Sequence, residues 1–353
     1  MAKLKTKEYL VDVIRIDNDS VTRHGKIRLD KSERVNLFEK HFFDKFKENL
    51  TQEDFICYPE VFEIKDKIQN YHNLNDLDVH ITSGSDAIIK SFFEIADNSK
   101  KVIITNPCFP MYKVYAQLFN METIDVGYNK NLVLDVDKLL DSIDSNVGLV
   151  AIANPISPVG DVISESAIYK IAKKCSNLGI PLLIDEAYYE FYGTTAIPLC
   201  EEFTNVGVAR TFSKALGGAG VRLAYLIGSR ELISCVKKWR PMYEVNQVAI
   251  KYGCFILDNI EQINDYVKRT VLERDGIYEL LKGNNVEVIN TQSNWVHVNC
   301  KNIDKVIKVL EKNNVLFKCG TLPYQGNTLW LRLTIFPNLS KTSYFQEIMN
   351  LNK

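Results

Sequence analysis

One segment of the sequence places a lysine among groups that bind phosphate. It begins Ser213-Lys214 and continues through a glycine-rich stretch to Arg222. A lysine amine becomes a nucleophile when its surroundings position it and favour its neutral form. A hydroxyl, an arginine and free backbone amides are groups that bind a phosphate. The segment therefore indicates a phosphorylated aldehyde held as a Schiff base on Lys214, the way in which pyridoxal phosphate is carried; an ordinary exposed loop is the other interpretation.

A carboxylate directly follows a short apolar run further upstream. Residues 182–184 are Leu-Leu-Ile, and Asp185 comes next. An acid in this position is costly to bury without a cationic partner, and a protonated pyridine nitrogen would be such a partner. Tyr188, three residues later, is placed to reach an oxygen on the same ring. For Glu186, a carboxylate that caps the following helix is the alternative interpretation.

Four other motifs each have a functional and a structural interpretation. Ser85 and Asp86 open a predicted helix, where free amides bind a phosphate but where serine and aspartate also serve as caps. Phe109 either stacks on a planar ring or packs in the core. Asn154 ends an apolar strand and either donates to a ring oxygen or forms a turn. Arg332 alternates with apolar residues, which is typical of a carboxylate clamp or of an outward-facing arginine.

The elements that must position these residues alternate between strand and helix. The pattern predicts strands over 79–82, 101–105, 122–126, 147–153, 181–184, 206–210 and 222–227, with helices over 85–96, 111–119 and 164–178. Such alternation is typical of a mostly parallel sheet in an α/β fold. Ligands of open α/β sheets bind outside the carboxyl ends of the strands, so the motifs are expected to converge on one cleft.

The character of the sequence changes after residue 231. Long amphipathic helices are predicted over 232–239, 245–257 and 260–281, then short strands over 295–298, 316–318 and 329–334, and helices over 303–313 and 341–350. A further helix is predicted over 36–47. We interpret residues 1–50 as an N-terminal arm with a small-domain segment, 51–245 as a large cofactor-binding domain, and 246–353 as a smaller α+β domain.

Composition excludes several classes of function. The 353 residues include 43 basic and 44 acidic side chains, and this balance gives no argument for nucleic acid or an anionic membrane as a partner. We expect no signal peptide and no membrane span. The eight cysteines are scattered singly without a CxxC pair, which favours reduced thiols and a cytoplasmic protein. The five histidines show no metal-binding spacing, so no metal site is expected.

The motifs, taken in order, resemble those of class I and II aminotransferases of PLP fold type I. They are Asn-Pro-x-x-Pro-x-Gly at 154–160, Asp-Glu-Ala-Tyr at 185–188, Ser-Lys-x-x-Gly-x-x-Gly-x-Arg at 213–222 and Leu-Arg-Leu-Thr at 331–334. The resemblance extends from about residue 29 to the end and is closest to the histidinol-phosphate aminotransferase branch, which includes phospho-amino-acid decarboxylases. It implies an α/β fold: a mostly parallel, seven-stranded sheet sandwiched by helices, plus a smaller α+β C-terminal domain.

The resemblance also implies roles for single residues around pyridoxal 5'-phosphate. Lys214 would form the Schiff base and move a proton between the substrate Cα and the cofactor. Asp185 would pair with the pyridine nitrogen, and Phe109 would stack on the ring. The ring oxygen would be held by Asn154 and Tyr188, and the cofactor phosphate by Ser85, Asp86, Ser213 and Arg222.

Two further implications concern the partner subunit and the substrate. Tyr58 matches a tyrosine that reaches the cofactor phosphate of the neighbouring subunit, which implies a homodimer with shared active sites. Arg332 matches the arginine that binds the substrate carboxylate. The sequence departs from the family where Lys318 stands in place of a phosphate-binding arginine, and where residues 29–35 replace an Asn-Glu-Asn-Pro motif. With Arg34 and Lys318 as predicted anion contacts, a small phosphorylated or otherwise anionic amine or keto compound is expected.

The resulting hypothesis is a ping-pong aminotransferase that takes an amino group from a donor such as glutamate and passes it to a keto acceptor. A decarboxylase of serine or threonine phosphate would use the same cofactor contacts and is the alternative enzyme. A binding or regulatory protein without catalysis is a third interpretation, against which the presence of Lys214, Asp185 and Arg222 argues. A nicotinamide-binding sheet is disfavoured because the glycines lack the GxGxxG spacing.

Overall fold

The computed structural model describes residues 7, 9, 10, 13, 14, 22–323 and 325–352. Much of the first part of the predicted N-terminal arm therefore lies outside the described residues. The strands are β1 Ile27–Arg28, β2 Leu77–Thr82, β3 Lys101–Thr105, β4 Thr123–Val126, β5 Val147–Ala153, β6 Leu182–Asp185, β7 Val206–Thr211, β8 Ala224–Ser229, β9 Glu287–Ile289, β10 Trp295–Asn299, β11 Val315–Leu316, β12 Lys318–Gly320 and β13 Trp330–Thr334.

Helices cover both faces of the larger sheet and flank the smaller one. They are α1 Lys40–Glu48, α2 Glu53–Ile56, α3 Phe62–Tyr71, α4 Ser85–Ile95, α5 Pro110–Leu118, α6 Val136–Ser142, α7 Glu165–Asn177, α8 Tyr189–Tyr192, α9 Leu199–Glu202, α10 Arg230–Lys237, α11 Gln247–Asp258, α12 Ile260–Gly283, α13 Ile303–Lys312 and α14 Ser343–Asn352. Among the described residues, none of these helices is both long enough and apolar enough to cross a membrane.

Seven strands form the larger sheet in the order β2-β8-β7-β6-β5-β3-β4. Neighbouring strands from β7 to β4 are parallel, whereas β8 runs antiparallel to both β7 and β2. Leu182 and Ile184 of β6 pack into one buried cluster and Leu183 into another, because successive side chains of a strand point to opposite faces. A strand covered on both faces has to be apolar throughout, and this explains the Leu-Leu-Ile run. The predicted mostly parallel, seven-stranded sheet is confirmed.

A smaller antiparallel sheet, in the order β12-β13-β10-β9, forms the second part of the predicted architecture. Its own apolar cluster includes Leu331, Leu333 and Phe345, and also Leu29 from the N-terminal segment. That segment is tied to this part of the fold by parallel pairing of β1 with β11. Because of this pairing, the N-terminal segment and the smaller sheet both contribute to the surroundings of the site described below.

Most predicted elements lie within a few residues of their observed positions, and two predictions are wrong in detail. The single strand expected over 316–318 is two strands in different sheets: β11 pairs with β1 and β12 with β13. One straight strand cannot serve both sheets, so the chain divides at Phe317. The helix expected over 36–47 begins at Lys40, because its N-cap residue, Glu39, has extended backbone angles. The helices α2, α3, α6 and α9 and the strands β1 and β9 were not predicted.

Candidate active site

A cavity of about 170 Å³ lies where the carboxyl ends of β5, β6 and β7 meet the start of α4. Eight of the sequence-predicted site residues line it together: Ser85, Asp86, Phe109, Asp185, Tyr188, Ser213, Lys214 and Arg222. They come from five separate parts of the chain. The convergence follows from the parallel strands, whose carboxyl ends meet at one edge of the sheet.

Asp185 is the last residue of β6 and is 6 % exposed. Its Oδ1 accepts the Ala187 backbone amide over 3.1 Å, and its Oδ2 accepts the Tyr112 hydroxyl over 3.1 Å. Burial raises the pKa of this carboxyl to about 6, against the opposing effect of these two donors and of Lys214. Both donors are neutral, so the buried carboxylate faces the cavity without a cation bound to it.

Lys214 also lines the cavity. Its Nζ donates to the backbone carbonyl of Lys31 over 2.8 Å and lies 5.1 Å from the centre of the Tyr188 ring. Burial acts to raise the pKa of the Tyr188 hydroxyl, but the charges of Lys214 and Arg332 bring it below its usual value. The Lys214 charge therefore favours the ionised form of the Tyr188 hydroxyl.

Arg222 closes one end of the cavity above the start of α4. Its Nη1 donates to Ser213 Oγ over 3.4 Å, and its Nη2 lies 3.8 Å from an Asp86 carboxylate oxygen. Gly84, the residue before the helix, has φ of +83°, and a Cβ built on it would lie 2.4 Å from Nη2 of Arg222. The glycine is needed here because any side chain would displace the guanidinium. Helix amides, a serine hydroxyl and an arginine together make a phosphate-binding end.

Phe109 and Asn154 occupy different layers of the site. Phe109 lines the cavity just before Pro110, with its ring edge-on to Tyr112. Asn154 follows β5 but is 2 % exposed, and its amide oxygen accepts the Ile163 amide over 2.9 Å while its Nδ2 makes a long 3.5 Å contact with the Ile163 carbonyl. Asn154 thus lies behind the cavity wall. Its side-chain oxygen accepts a hydrogen bond, and its side-chain nitrogen makes only a long contact.

Arg332 lies on β13 of the smaller sheet, outside the lining of the cavity. It is 9 % exposed, its Nη2 donates to the backbone carbonyl of Asp30, and its guanidinium carbon lies 5.5 Å from the centre of the Trp295 ring. Its Nε is buried and has no hydrogen-bond partner within the part of the chain that the structure describes. Lys318 is its register partner on β12, and burial followed by the Arg332 charge lowers the pKa of Lys318.

A second, larger cavity of about 690 Å³ adjoins the first and shares Ser213, Lys214 and Arg222 with it. Its remaining cations come from the N-terminal segment and are Arg23, Arg28, Lys31 and Arg34, with His24 beside them. Arg23 pairs with Asp30 and Glu33, and Arg28 pairs with Glu33. The charges of Lys31 and Arg34 are not neutralised by this group, so the cavity favours an anionic guest.

Arg34 is held between two aromatic rings. Its guanidinium carbon lies 4.1 Å from the centre of the Phe38 ring and 3.7 Å from that of Tyr266. A Cβ built on Gly217, whose φ is +72°, would lie 2.8 Å from Arg34 Cδ and 2.7 Å from the Phe38 ring. The N-terminal segment therefore packs directly on the glycine-rich stretch that follows Lys214.

Tyr58 lies away from the two cavities and is 73 % exposed. Its ring stacks on that of Tyr243, with 4.1 Å between the ring centres and 11° between the planes. Around this pair, two segments expose several large apolar side chains, which we call the 55–62/239–243 surface: Phe55, Ile56, Tyr58, Val61, Phe62, Trp239, Met242 and Tyr243.

Three features of the site were missed in the sequence. Tyr112 donates a hydrogen bond to Asp185, but in the sequence it fits the apolar face of α5 and so gives no sign of this role. Glu186 forms a buried ion pair with Arg210 over 2.8 Å, so its interpretation as a helix cap is wrong. The third feature is a row of four backbone carbonyls, 29–32, which accept hydrogen bonds from Thr334, Arg332, Lys214 and Asn294 in turn. Backbone acceptors leave no signal in residue type.

The arrangement fits a planar, phosphorylated pyridine aldehyde. The cavity offers a phosphate-binding end that Gly84 keeps open, and a buried carboxylate that lacks a cation. A lysine amine and an aromatic ring line the same cavity. In the described part of the chain, no group of three His, Cys, Asp or Glu side chains is arranged to hold a metal.

Comparison with known proteins gives a consistent set of relatives. The model of a family described as aminotransferase class I and II matches residues 27–345. A histidinol-phosphate aminotransferase of Clostridium novyi (strain NT) is 30 % identical over 315 residues, which cover 88 % of this chain and 87 % of the relative.

Solved structures show the same fold at lower identity. The histidinol-phosphate aminotransferase of Sinorhizobium meliloti, in complex with pyridoxal-5'-phosphate, superposes with a TM-score of 0.82 at 17 % identity, covering 99 % of this chain and 96 % of the other. The L-threonine-O-3-phosphate decarboxylase of Porphyromonas gingivalis superposes with a TM-score of 0.76 at 17 % identity, covering 92 % and 98 %.

Proposed function

This chain belongs to the class I and II aminotransferases, and we propose that it moves an amino group from a donor such as glutamate to a small phosphorylated keto compound. The chain is a transaminase that depends on pyridoxal 5'-phosphate. The observation that carries the proposal is the convergence of Lys214, Asp185 and Arg222 on one cavity. A lysine, a buried acid and a phosphate-binding end are the three contacts that this cofactor requires.

The cofactor would bind with its phosphate at Ser85, Ser213 and Arg222, its ring against Phe109 and its nitrogen toward Asp185. When bound, it supplies an electron sink for the charge left on the substrate Cα. Asn154 lies behind the cavity wall, and its weakly held Nδ2 would have to turn toward the ring oxygen to take the role that the resemblance implies.

Lys214 and Tyr188 supply the proton transfer. Lys214 Nζ would take the proton from the substrate Cα and deliver it to the carbon on the other side of the amino nitrogen. The Tyr188 hydroxyl, whose pKa lies below its usual value, would stabilise the protonated amine of Lys214 during this transfer. A positioned proton-transfer group typically contributes about 10²- to 10⁴-fold to the rate.

Arg332 and the N-terminal cations would hold the substrate. Arg332 is buried, and its Nε has no hydrogen-bond partner among the described residues, so its planar guanidinium is suited to bind a carboxylate in a bidentate manner. Arg34 and Lys31 line the adjoining cavity without neutralising partners there, and this favours a second anionic group such as a phosphate. Lys318, beside Arg332 on β12, is a further cation for that group.

We further propose a homodimer in the cytoplasm. The 55–62/239–243 surface is apolar and exposed, and it includes Tyr58, which the resemblance places against the cofactor phosphate of the partner. A second copy of the chain is the occupant that this match favours. All eight cysteines are free thiols, which supports a reducing compartment.

The test is a spectrum of the protein loaded with pyridoxal phosphate, before and after glutamate is added without a keto acceptor. We expect the visible band of the lysine-linked cofactor to fall while the band of pyridoxamine phosphate rises. Return of the visible band on adding a phosphorylated keto compound, and not its unphosphorylated analogue, would support the substrate class. An unchanged spectrum with every amino donor would contradict transamination.

Decarboxylation of a phospho-amino acid is the second candidate, and the superposition on a threonine-phosphate decarboxylase favours keeping it. The same cofactor contacts would serve, because only the orientation of the bond broken at Cα differs. Product analysis separates the two. Carbon dioxide released from serine or threonine phosphate without formation of a keto acid would replace the transamination proposal.

A further inference from the structure

Tyr112 lies beside Asp185, and the steps above do not use it. It belongs to the first turn of α5 and is 1 % exposed. Its hydroxyl donates to Oδ2 of Asp185 over 3.1 Å, while the Ala187 amide donates to Oδ1. Two donors on the two oxygens define both the position of the carboxylate and the rotation of its plane.

We propose that Tyr112 is a positioning residue for the reaction, whose hydroxyl fixes the plane of the Asp185 carboxylate and keeps that carboxylate ionised opposite the pyridine nitrogen. This inference rests on the proposed function, because the nitrogen belongs to the cofactor. A hydrogen bond to the ionised form of an acid favours that form.

The other groups around Asp185 do not replace this contribution. Burial raises the pKa of Asp185 to about 6, and the charge of Asp86 on α4 acts in the same direction. The Tyr112 hydroxyl, the Ala187 amide and the Lys214 charge oppose them, and the hydroxyl has the largest opposing effect. Without it, the pKa of Asp185 would lie higher, and the carboxylate would be a weaker partner for a protonated nitrogen.

The experiment compares the wild type with Tyr112→Phe, loaded with pyridoxal phosphate that carries ¹⁵N in the ring. We expect the ¹⁵N resonance of the variant to move toward the unprotonated position at neutral pH. We also expect kcat to fall by about 10- to 100-fold with little change in KM, as for loss of a hydrogen bond to a charged group. Infrared titration of the apoproteins should show the Asp185 acid band, identified by its loss in Asp185→Asn, persisting to higher pH in Tyr112→Phe.

Tyr225→Phe is the matched control. Tyr225 is 2 % exposed and bonds to His72 Nε2 over 2.9 Å, so the control also removes a buried hydroxyl and one hydrogen bond. It should leave the ¹⁵N resonance and the acid band unchanged. If Tyr112→Phe folds poorly, 3-fluorotyrosine at position 112, a stronger donor of similar shape, should move the acid band to lower pH.

The outcomes separate the inference from the proposed function. A Tyr112→Phe enzyme with the ¹⁵N resonance, kcat and acid band of the wild type would overturn the inference alone. Equal shifts in Tyr112→Phe and Tyr225→Phe would also overturn it, since they would report a general loss of packing. A wild-type protein that binds no pyridoxal phosphate would overturn both.

Discussion

Asp185 and Glu186 are consecutive buried carboxylates that the protein surrounds in opposite ways. Glu186 accepts three hydrogen bonds from the protein: from Arg210 Nε over 2.8 Å, from Thr195 Oγ1 over 2.9 Å and from the Ala196 amide over 2.6 Å. Asp185 accepts one hydroxyl and one amide, and it faces the cavity. Successive residues point to opposite sides at a strand end, so one sequence step separates a closed region from an open one.

The closed region is a complete ion pair. The side chains of Arg210 and Glu186 are 1 % and 0 % exposed, and the Arg210 guanidinium also lies 3.3 Å from the centre of the Tyr189 ring. Its Nη2 donates to Thr195 over 2.9 Å. A buried carboxylate whose partners all come from the protein needs no ligand, whereas one that faces a cavity without a cation is a candidate contact for a ligand.

The first variant is Asp185→Asn, which changes the open region and should act on chemistry and not on folding. An amide cannot keep the pyridine nitrogen protonated, so we expect kcat to fall by about 10²- to 10⁴-fold. The apoprotein should lose no stability, because a neutral amide carries less cost of burial than the acid. Steady-state kinetics and urea unfolding of the apoprotein measure the two effects.

The second is Glu186→Gln at the neighbouring position, where the reverse is expected. The change leaves the Arg210 charge buried without its carboxylate, and breaking a buried pair typically costs about 3–5 kcal/mol. The kcat per folded molecule should stay near that of the wild type. A variant that unfolded at the same urea concentration as the wild type but turned over slowly would contradict the assignment of Glu186 to structure.

The free energy of unfolding, measured over a series of pH values, tests the open region in the wild-type protein. Because burial raises the pKa of Asp185 from 3.8 to about 6, the native apoprotein holds a proton there that the unfolded chain releases. Between pH 3.8 and about pH 6 the native state binds more protons than the unfolded chain, so the free energy of unfolding should fall as pH rises through this range. The slope from this group is about 1.4 kcal/mol per pH unit. Asp185→Asn should remove this contribution to the slope. Equal slopes of the free energy of unfolding against pH in the variant and the wild type would contradict the raised pKa of Asp185.

The smallest expected effect is that of Thr195→Val in the closed region. The hydroxyl donates to Glu186 and accepts from Arg210 and from the Ile197 amide, so its loss removes three hydrogen bonds while the ion pair stays. We expect a loss of about 1–3 kcal/mol in the free energy of unfolding and unchanged kinetics. Denaturant midpoints together with KM and kcat check both parts. A change in KM would show that the two regions are coupled.

Sequence reasoning reached most of the fold and the cavity because both depend on patterns of residue type. Apolar runs that end in Asp185 or Asn154 predict buried strands with polar ends, and parallel strands bring those ends together. Lys214, Ser213 and Arg222 were found because the chemistry needs those side chains. The single-residue roles beyond placement in the cavity stay predictions, as do the domain boundaries.

Other features had no pattern to reveal them. Tyr112 bonds to Asp185 from a helix position that reads as core, and the partner of Glu186 lies 24 residues away on the next strand. Phe317 divides two strands that belong to different sheets, which depends on long-range pairing with β1 and β13. Each of these is a tertiary contact between distant segments, and local sequence does not encode its partner.

The row of carbonyls at 29–32 bears on how freely this part of the gene can change. Thr334, Arg332, Lys214 and Asn294 donate to main-chain oxygens, which every amino acid possesses. The contacts therefore survive replacement of most side chains in the segment. Selection then acts on the backbone conformation of the segment and not on the identity of its residues. A segment of this kind can drift away from a family motif while it keeps its place beside the lysine.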